Sequence, residues 1–229
     1  MSLAFSDPSL SGHGVRRVAR AMATRQAVSL GFRAASLRVP HRISRIRCTS
    51  STSMDASSEM AQKASLVDLR VGRITHIEKH PDADTLYVEQ VDVGEEEPRT
   101  IVSGLVKFVS EEEMLGSLVV VMANLKPRNM RGIKSAGMLL CASNEAHDVV
   151  EPLRPAEGSA LGERIGFGED FGEMPEPATP NQLQKKKIWE EVQPSFTTTE
   201  ECQATCCEMI LQTTAGPVTC KSLVKANVS

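Results

Sequence analysis

Alternating apolar and polar residues mark a first strand near residue 70. Val67, Leu69 and Val71 are apolar with charged residues between them, and beyond Gly72 the apolar phase moves to Ile74. A side-chain period of two predicts a strand, and a change of phase by one residue at a glycine predicts a β-bulge at that point. We therefore predict a first strand that bends sharply, as strands of small closed barrels do.

Further short apolar segments predict four more strands and one short helix. The strands are predicted at 85–93, 99–103, 118–123 and 136–142. Ser110 is placed to cap a helix whose first turn holds three glutamates. Three strands, a helix and two strands is the order of the OB-fold, a five-stranded barrel. We predict an all-β dominated fold class, with an OB-fold barrel at 65–168 and a small C-terminal α+β extension at 169–229.

The C-terminal extension opens with a Pro- and Glu-rich segment and continues into a predicted helix at 181–192. Leu183, Ile188 and Trp189 lie on one side of this helix and Lys185–Lys187 on another, which predicts a solvated lysine face. The remaining tail is rich in Thr, Cys and Val and is predicted to be β-structure.

One stretch between the fourth and fifth predicted strands concentrates positive charge. No acidic residue lies between Glu113 and Glu145, yet four basic residues fall within nine positions: Lys126, Arg128, Arg131 and Lys134. Pro127 and Gly132 would interrupt a helix, so we predict a loop that strands hold at both ends. A rigid cationic loop suits phosphate, although the same charges would also suit a loop that is simply solvated.

Residues 1–53 differ in composition from the rest of the chain. They hold nine arginines, no lysine, ten serines and a single acid, Asp7. This composition predicts an organellar transit peptide, with the chloroplast as the destination and the mitochondrion as the alternative. A basic disordered arm that binds nucleic acid is the competing interpretation. Residues 54–64 are short and polar and are predicted to be a linker.

Without this N-terminal segment the chain is acidic. Of the 26 basic and 29 acidic residues, nine and one lie in 1–53, so residues 54–229 carry 17 basic and 28 acidic side chains and a net charge of −11. That charge argues against indiscriminate nucleic-acid binding and leaves a local basic patch as the predicted site. One Trp, one Tyr and six Phe provide few stacking platforms for single strands, so structured RNA is the favoured ligand.

Sequence motifs of catalysis and metal binding are missing. There is no glycine-rich phosphate loop, no GxSxG and no HExxH, so we predict no enzymatic activity and no cofactor. His80 and the aspartates that follow it could form a metal site, but proline with aspartates is ordinary turn chemistry. The C-terminal cysteines lack C-x-x-C spacing, so no metal is predicted there. No apolar run approaches the ~20 residues that span a membrane, and no membrane association is predicted.

Four segments of the chain together resemble a known family. They read DLRVGRITHIEKHPDADTLYVEQVDVG, PRTIVSGL, NLKPRNMRGIKSAGMLLCAS and KKKIWEEVQP. They resemble the tRNA-binding domains of endothelial-monocyte-activating polypeptide II, the yeast synthetase-cofactor protein and the C-terminal module of many methionyl-tRNA synthetases. The last segment is typical of the longer polypeptide II type, which carries an extra domain after the barrel.

The resemblance implies a non-catalytic protein that binds the outer corner of tRNA and acts as a cofactor of an aminoacyl-tRNA synthetase. The RNA contacts that it implies are Lys126, Arg128, Arg131, Lys134 and Ser135, with Arg73 and Asn124 as neighbours. It also implies a monomer. Short modules of the family dimerise through one surface of the barrel, and the long type is expected to cover that surface with its own C-terminal extension, which makes it pseudo-dimeric.

The chain departs from the family pattern in two places. Asn129 stands where many relatives have lysine, which makes the basic loop one charge lighter. Beyond Glu201 the resemblance fades, and Cys206, Cys207 and Glu208 replace a more ordinary strand start.

A second functional interpretation is a protein-interaction or cytokine-like module of the same fold, without a primary RNA role. Residues 70–76, RVGRITH, resemble the heptapeptide associated with cytokine activity in animal relatives. The same residues are predicted to form the first strand, and folding alone accounts for their pattern.

Overall fold

The computed structural model describes residues 52–168 and 174–229, with side chains from residue 58 onward. The predicted transit peptide at 1–53 lies outside this range, apart from its last two residues. The strands of the barrel region are β1 Leu69–His80, β2 Ala83–Asp92, β3 Arg99–Ser103, β4 Leu118–Met122, β5 Arg128–Met130, β6 Ile133–Ser135, β7 Met138–Leu139, β8 Cys141–Ser143, β9 Val150–Pro152 and β10 Gly166–Phe167. Those of the extension are β11 Phe196–Thr198, β12 Ala204–Cys206, β13 Met209–Thr213, β14 Gly216–Pro217 and β15 Asn227–Val228. The helices are α1 Thr52–Ala64, α2 Glu111–Met114, α3 Pro180–Lys185 and α4 Ile188–Val192, and a 3-10 turn follows at Gln193–Ser195.

A curled antiparallel sheet with the order β3-β2-β1-β4-β7 forms the barrel, and this confirms the predicted OB-like, all-β dominated fold. The strand predicted at 99–103 is β3. Ser110 caps α2, because its hydroxyl accepts a hydrogen bond from the Glu113 N–H. The barrel closes where the Ala136 N–H donates to the Thr100 carbonyl at 2.8 Å.

The bulge of the first strand lies at a different position from the predicted one. Leu69 through Arg73 pair with β4 in unbroken register, so there is no bulge at Gly72. The pairing with β2 shifts between Ile74 and His76, and again between Lys79 and His80 at the end of the strand. Gly72 is instead a point of close packing, since a Cβ atom there would lie 2.7 Å from a methyl group of Val91. The apparent phase change arises because opposite faces of β1 are buried on either side of Gly72.

Two hydrophobic clusters meet at β4, whose two faces are both covered. Val119 and Val121 point into the barrel interior, whereas Val120 and Met122 belong to a second cluster formed with the C-terminal extension. That second cluster joins the outer face of β1 and β4 to α3, α4 and the strands β11, β12, β13 and β15. The extension therefore covers an apolar face that the barrel would otherwise expose.

Three further local predictions are wrong. The predicted linker at 54–64 is part of α1, whose Ala64 is buried and whose Lys63 pairs with Glu191 of α4 at 2.9 Å. The predicted helix at 181–192 is two helices, α3 and α4, with Lys187 between them in a left-handed conformation (φ +49°). The predicted fifth strand divides into β7, in the barrel sheet, and β8, which pairs with β15 of the extension.

None of the described helices is long and apolar enough to cross a membrane.

A carboxyl group is buried inside the barrel, which the strand pattern did not indicate. Glu89 follows Tyr87 and precedes Val91 on the inward face of β2 and is completely buried. Its Oε1 accepts a hydrogen bond from the Ser103 hydroxyl at 2.5 Å, and its Oε2 has no partner among the described residues. Burial raises the pKa of Glu89 from 4.5 to about 8, and the Ser103 hydrogen bond opposes this rise only in part.

We expect Glu89→Gln to flatten the decline of stability with pH. Between pH 4.5 and about 8 the folded state holds a proton on Glu89 that the unfolded chain has lost, so stability falls as pH rises through this window. Each unit of pKa difference corresponds to about 1.4 kcal/mol, so the whole decline is on the order of 4–5 kcal/mol. Urea unfolding should give the unmodified protein and the Gln variant equal free energies of unfolding at pH 4.5. At pH 8.5 the Gln variant should be the more stable of the two. Parallel pH profiles would contradict the prediction.

Candidate nucleic-acid interface

The predicted basic loop is a two-stranded ribbon, which we call the basic hairpin (residues 126–135). Strands β5 and β6 pair through Arg128–Ser135, Asn129–Lys134 and Met130–Ile133. Arg131 and Gly132 join them with φ values of +53° and +96°, as in a type I′ turn. The Asn129 side chain accepts a hydrogen bond from the Gly132 N–H at 2.8 Å. Asn129 thus supports the turn at the position where the family resemblance had pointed to a lost charge.

The four cations are exposed and lie on both faces of the basic hairpin. Residues directly opposite in an antiparallel pair share a face, and neighbours along a strand alternate. Arg128 therefore shares a face with Ser135, and Lys134 lies on the other face. Arg131 occupies the tip, in a left-handed conformation that costs a non-glycine residue about 1–2 kcal/mol. The result is a convex cationic ridge rather than a flat patch.

The basic hairpin carries charge that nothing in the described structure neutralises. Among the described side chains, no carboxylate lies within 4.0 Å of Lys126, Arg128, Arg131 or Lys134. Other basic residues are paired. Arg70 contacts Asp68 at 3.0 Å, and Lys225 contacts Glu200 at 2.8 Å. The ridge is therefore free to attract an external anion.

Arg99 holds both ends of the basic segment against the start of β3. Its Nη1 donates to the carbonyl of Ala123 at 2.6 Å and to that of Ala136 at 3.0 Å. Its remaining nitrogens donate to both carboxylate oxygens of Glu95, at 2.6 and 2.8 Å. Those hydrogen bonds keep the pKa of Glu95 below its ordinary value. Arg99 thus positions the ridge without taking part in it.

Asn124 and Ser135 are buried, and the structure gives them positioning roles. The Asn124 amide donates to the carbonyls of Leu66 and Ala178, and its Oδ1 accepts from the Asp68 N–H. These bonds join the base of the hairpin to the extension. The Ser135 hydroxyl donates to the Gly137 carbonyl and accepts from the N–H of a β3 residue at 3.0 Å. Neither side chain is exposed for the RNA contact that the resemblance implied.

His80 fixes the tip of the basic hairpin and is buried, in contrast to an ordinary turn residue. Its Nδ1 accepts a hydrogen bond from the Asp82 N–H at 3.0 Å, and its Nε2 lies 3.2 Å from the Met130 carbonyl. This pairing requires the tautomer with the proton on Nε2. The signal for this role in the sequence is weak, because His80 and Asp82 are also common residue types in an ordinary turn.

Arg73 is exposed but does not join the ridge. Strand pairing places it beside Asp92 and Leu118, at the start of β4, whereas the basic hairpin follows the end of that strand. Of the seven residues predicted for the site, the structure groups four: Lys126, Arg128, Arg131 and Lys134.

The described residues contain no cluster of three or more His, Cys, Asp or Glu side chains suited to a metal ion. Cys207 and Glu208, with positive φ, form the turn between β12 and β13.

Comparison with known proteins identifies the barrel. A family model described as "Putative tRNA binding domain" matches residues 69–164. The tyrosine–tRNA ligase, cytoplasmic, of Danio rerio is 47% identical over 167 residues, which are 72% of this chain and 31% of that protein. The aminoacyl tRNA synthase complex-interacting multifunctional protein 1 of Mus musculus is 51% identical over 142 residues, which are 62% of this chain and 44% of that protein. The chain thus spans less than half the length of either relative.

One solved structure matches both the barrel and the extension. The C-terminal domain of Plasmodium vivax p43 superposes with a TM-score of 0.66 at 34% sequence identity. The match covers 72% of this chain and 98% of that domain. Because nearly the whole of the solved domain is matched, the similarity extends beyond the part of the chain that the family model covers.

Proposed function

This chain belongs to the family of tRNA-binding domains, and we propose that it binds folded tRNA through the basic hairpin without catalysing a reaction. The observation that carries the proposal is the ridge itself: Lys126, Arg128, Arg131 and Lys134 are exposed and unpaired among the described side chains. Phosphate contacts by such side chains supply affinity without reading sequence.

The shape of the ridge favours a folded RNA over a linear one. A protruding ribbon with cations on both faces and at its tip can contact phosphates on two sides only if the ligand is concave. Folded RNA offers such surfaces, lined by phosphates and 2′-hydroxyls. Residues 54–229 carry a net charge of −11 even with the four cations of the ridge included, so the surroundings of the ridge disfavour ligands that extend beyond it.

A partnership with an aminoacyl-tRNA synthetase is the second part of the proposal. The relatives include a tyrosine–tRNA ligase and a protein named for its interaction with a synthetase complex. In both, the region similar to this chain is a minor part of the protein. We propose that this chain is a non-catalytic cofactor that presents tRNA to such an enzyme, and that it is a monomer because the extension covers the outer face of β1 and β4.

We expect tRNA binding to weaken linearly with salt concentration on logarithmic axes. About four released ions would give a slope of about −3, and each alanine substitution on the ridge should make it shallower by about 0.7–0.9. In filter binding with residues 52–229, tRNA should outcompete linear single-stranded RNA and duplex DNA of equal length. Equal competition by all three would reduce the ridge to a generic basic patch and refute the proposed function.

Targeting of residues 1–53 to an organelle remains a proposal that rests on their composition. Nine arginines against one acid support import into the chloroplast, with the mitochondrion as the alternative. We expect a fluorescent reporter fused behind residues 1–60 to enter one of these organelles. A matched fusion in which the nine arginines are replaced by glutamine should stay in the cytosol. A diffuse cytosolic signal from the unmodified fusion would exclude the transit peptide.

A further inference from the structure

A groove separates the basic hairpin from the helices of the C-terminal extension. It has a volume of about 600 Å³, which lies within the usual range of about 300–1,000 Å³ for small-molecule sites. Its apolar lining comes from both sides: Leu125, Met130 and Met138 belong to the barrel, and Trp189 belongs to α4. On the side of the extension, residues of both α3 and α4 line the groove.

Trp189 is the one tryptophan of the chain, and it is not fully buried. Its ring lies 5.4 Å from that of Phe196, centroid to centroid, at an interplanar angle of 57°. Phe196 is buried in the core of the extension and therefore holds the indole in place. A fixed and partly exposed indole beside a cavity is the kind of surface on which nucleobases stack.

The edges of the groove carry polar groups suited to a nucleotide. Lys126 and Arg128 line it on the hairpin side, and both belong to the cationic ridge. Gln184 and Glu190 line it on the helix side, and their amide and carboxylate groups can form hydrogen bonds with the edge of a base. Phosphate-binding side chains thus stand next to an apolar cavity with a stacking surface.

We infer that this groove accepts one unstacked nucleobase of the bound RNA, stacked on Trp189, while Lys126 and Arg128 contact the adjoining phosphates. The inference rests on the proposed function, because the ridge must first bring the RNA to the groove. A protein segment is the other conceivable occupant. RNA is favoured because Lys126 and Arg128, which line the groove, are unpaired among the described side chains and can bind the phosphates of an RNA backbone. This adds a base-binding element to an interface that would otherwise read only backbone shape.

Tryptophan fluorescence tests the inference directly, because all tryptophan emission of the protein comes from Trp189. Unfractionated tRNA is titrated into the full chain with excitation at 295 nm, and retention of labelled tRNA on filters is measured in the same buffer. We expect bound tRNA to quench the emission of Trp189 and to protect the indole from quenching by acrylamide. Both changes should have the same midpoint in tRNA concentration as the filter-binding curve. Filter binding with unchanged emission would overturn the inference and leave the proposed function intact. Absence of filter binding would refute the proposed function itself.

A pair of variants separates stacking from folding. Trp189→Leu removes the stacking surface, and we expect it to weaken tRNA binding about tenfold, which corresponds to ~1.4 kcal/mol. Trp189→Phe keeps an aromatic face and should stay within about threefold of the unmodified protein. Thermal unfolding of both variants shows whether the extension is intact. Equal affinities of two folded variants would contradict stacking on Trp189.

Discussion

Removing the charges of Arg131 and Lys134 together is expected to reduce tRNA affinity by about a hundredfold. Hydrogen bonds to charged groups contribute about 1.5–3 kcal/mol each, and 1.4 kcal/mol corresponds to a factor of ten. The two residues occupy the tip and one face of the basic hairpin, and their loss leaves Lys126 and Arg128, which line the groove beside the extension. The salt slope should become shallower by about 1.4–1.8.

The substitutions for this test are chosen to leave the hairpin folded. Arg131→Asn suits the left-handed backbone (φ +53°) better than arginine or alanine does, because asparagine tolerates this conformation. Lys134→Gln removes the charge and keeps an unbranched polar side chain at a strand position. Both variants therefore remove charge without loosening the turn, and a loss of binding can be attributed to phosphate contacts.

The matched control is the double variant Lys221→Gln and Lys225→Gln. It removes two exposed positive charges from the extension, each of which already pairs with a glutamate. The net charge of the protein changes by the same amount as in the hairpin variant. We expect the control to bind tRNA within about twofold of the unmodified protein, since these lysines lie outside the ridge. If control and hairpin variants lost affinity equally, net charge rather than the ridge would govern binding.

Deleting residues 174–229 is expected to abolish the soluble monomer. The deletion uncovers Leu69, Val71, Val120 and Met122 on the outer face of the barrel sheet, all of which are completely buried in the intact chain. At about 1.5–3 kcal/mol for each buried side chain, the loss is on the order of 10 kcal/mol. That is comparable with the whole stability of a typical domain, about 5–15 kcal/mol.

Light scattering and circular dichroism distinguish the outcomes of this deletion. We expect association or aggregation, because a continuous apolar face becomes exposed. A truncated chain that also carries Leu69→Thr, Val71→Thr and Val120→Thr is the control, and it should be less prone to associate because threonine keeps the strand propensity and adds a hydroxyl. If the unmodified truncated chain were a stable monomer, the extension would not be needed to cover this face.

The local chemistry of the chain determined much of the architecture without any tertiary information. The alternation at Val67, Leu69 and Val71, the short apolar segment at 99–103 and the Ser110 cap identified strands of the barrel and its short helix in their order along the chain. The concentration of Lys126, Arg128, Arg131 and Lys134 identified the ridge in the same way. These features depend on residues close together in sequence, and side-chain period and charge spacing record them directly.

The contacts that hold the ridge could not be predicted from local sequence. Arg99 fixes both ends of the basic segment from a strand 24 and 37 residues away, and Asn124 bonds to Ala178, which is 54 residues away. An arginine in a strand and an asparagine in a loop have many uses, and only the folded chain selects one of them. The buried carboxyl of Glu89 belongs to the same class, because its position in β2 alone does not reveal that the barrel closes over it.

The burial of strand faces was likewise decided by tertiary structure. The residues around Gly72 show the same alternation whether the strand bulges there or is covered on opposite faces in its two halves. The extension decides between these cases, since it packs on Leu69 and Val71 while the barrel interior receives Ile74. Sequence periodicity records which residues of β1 share a face. The segment that covers the face of Leu69 and Val71 lies more than a hundred residues further along the chain, so only the assembled core shows what each face contacts.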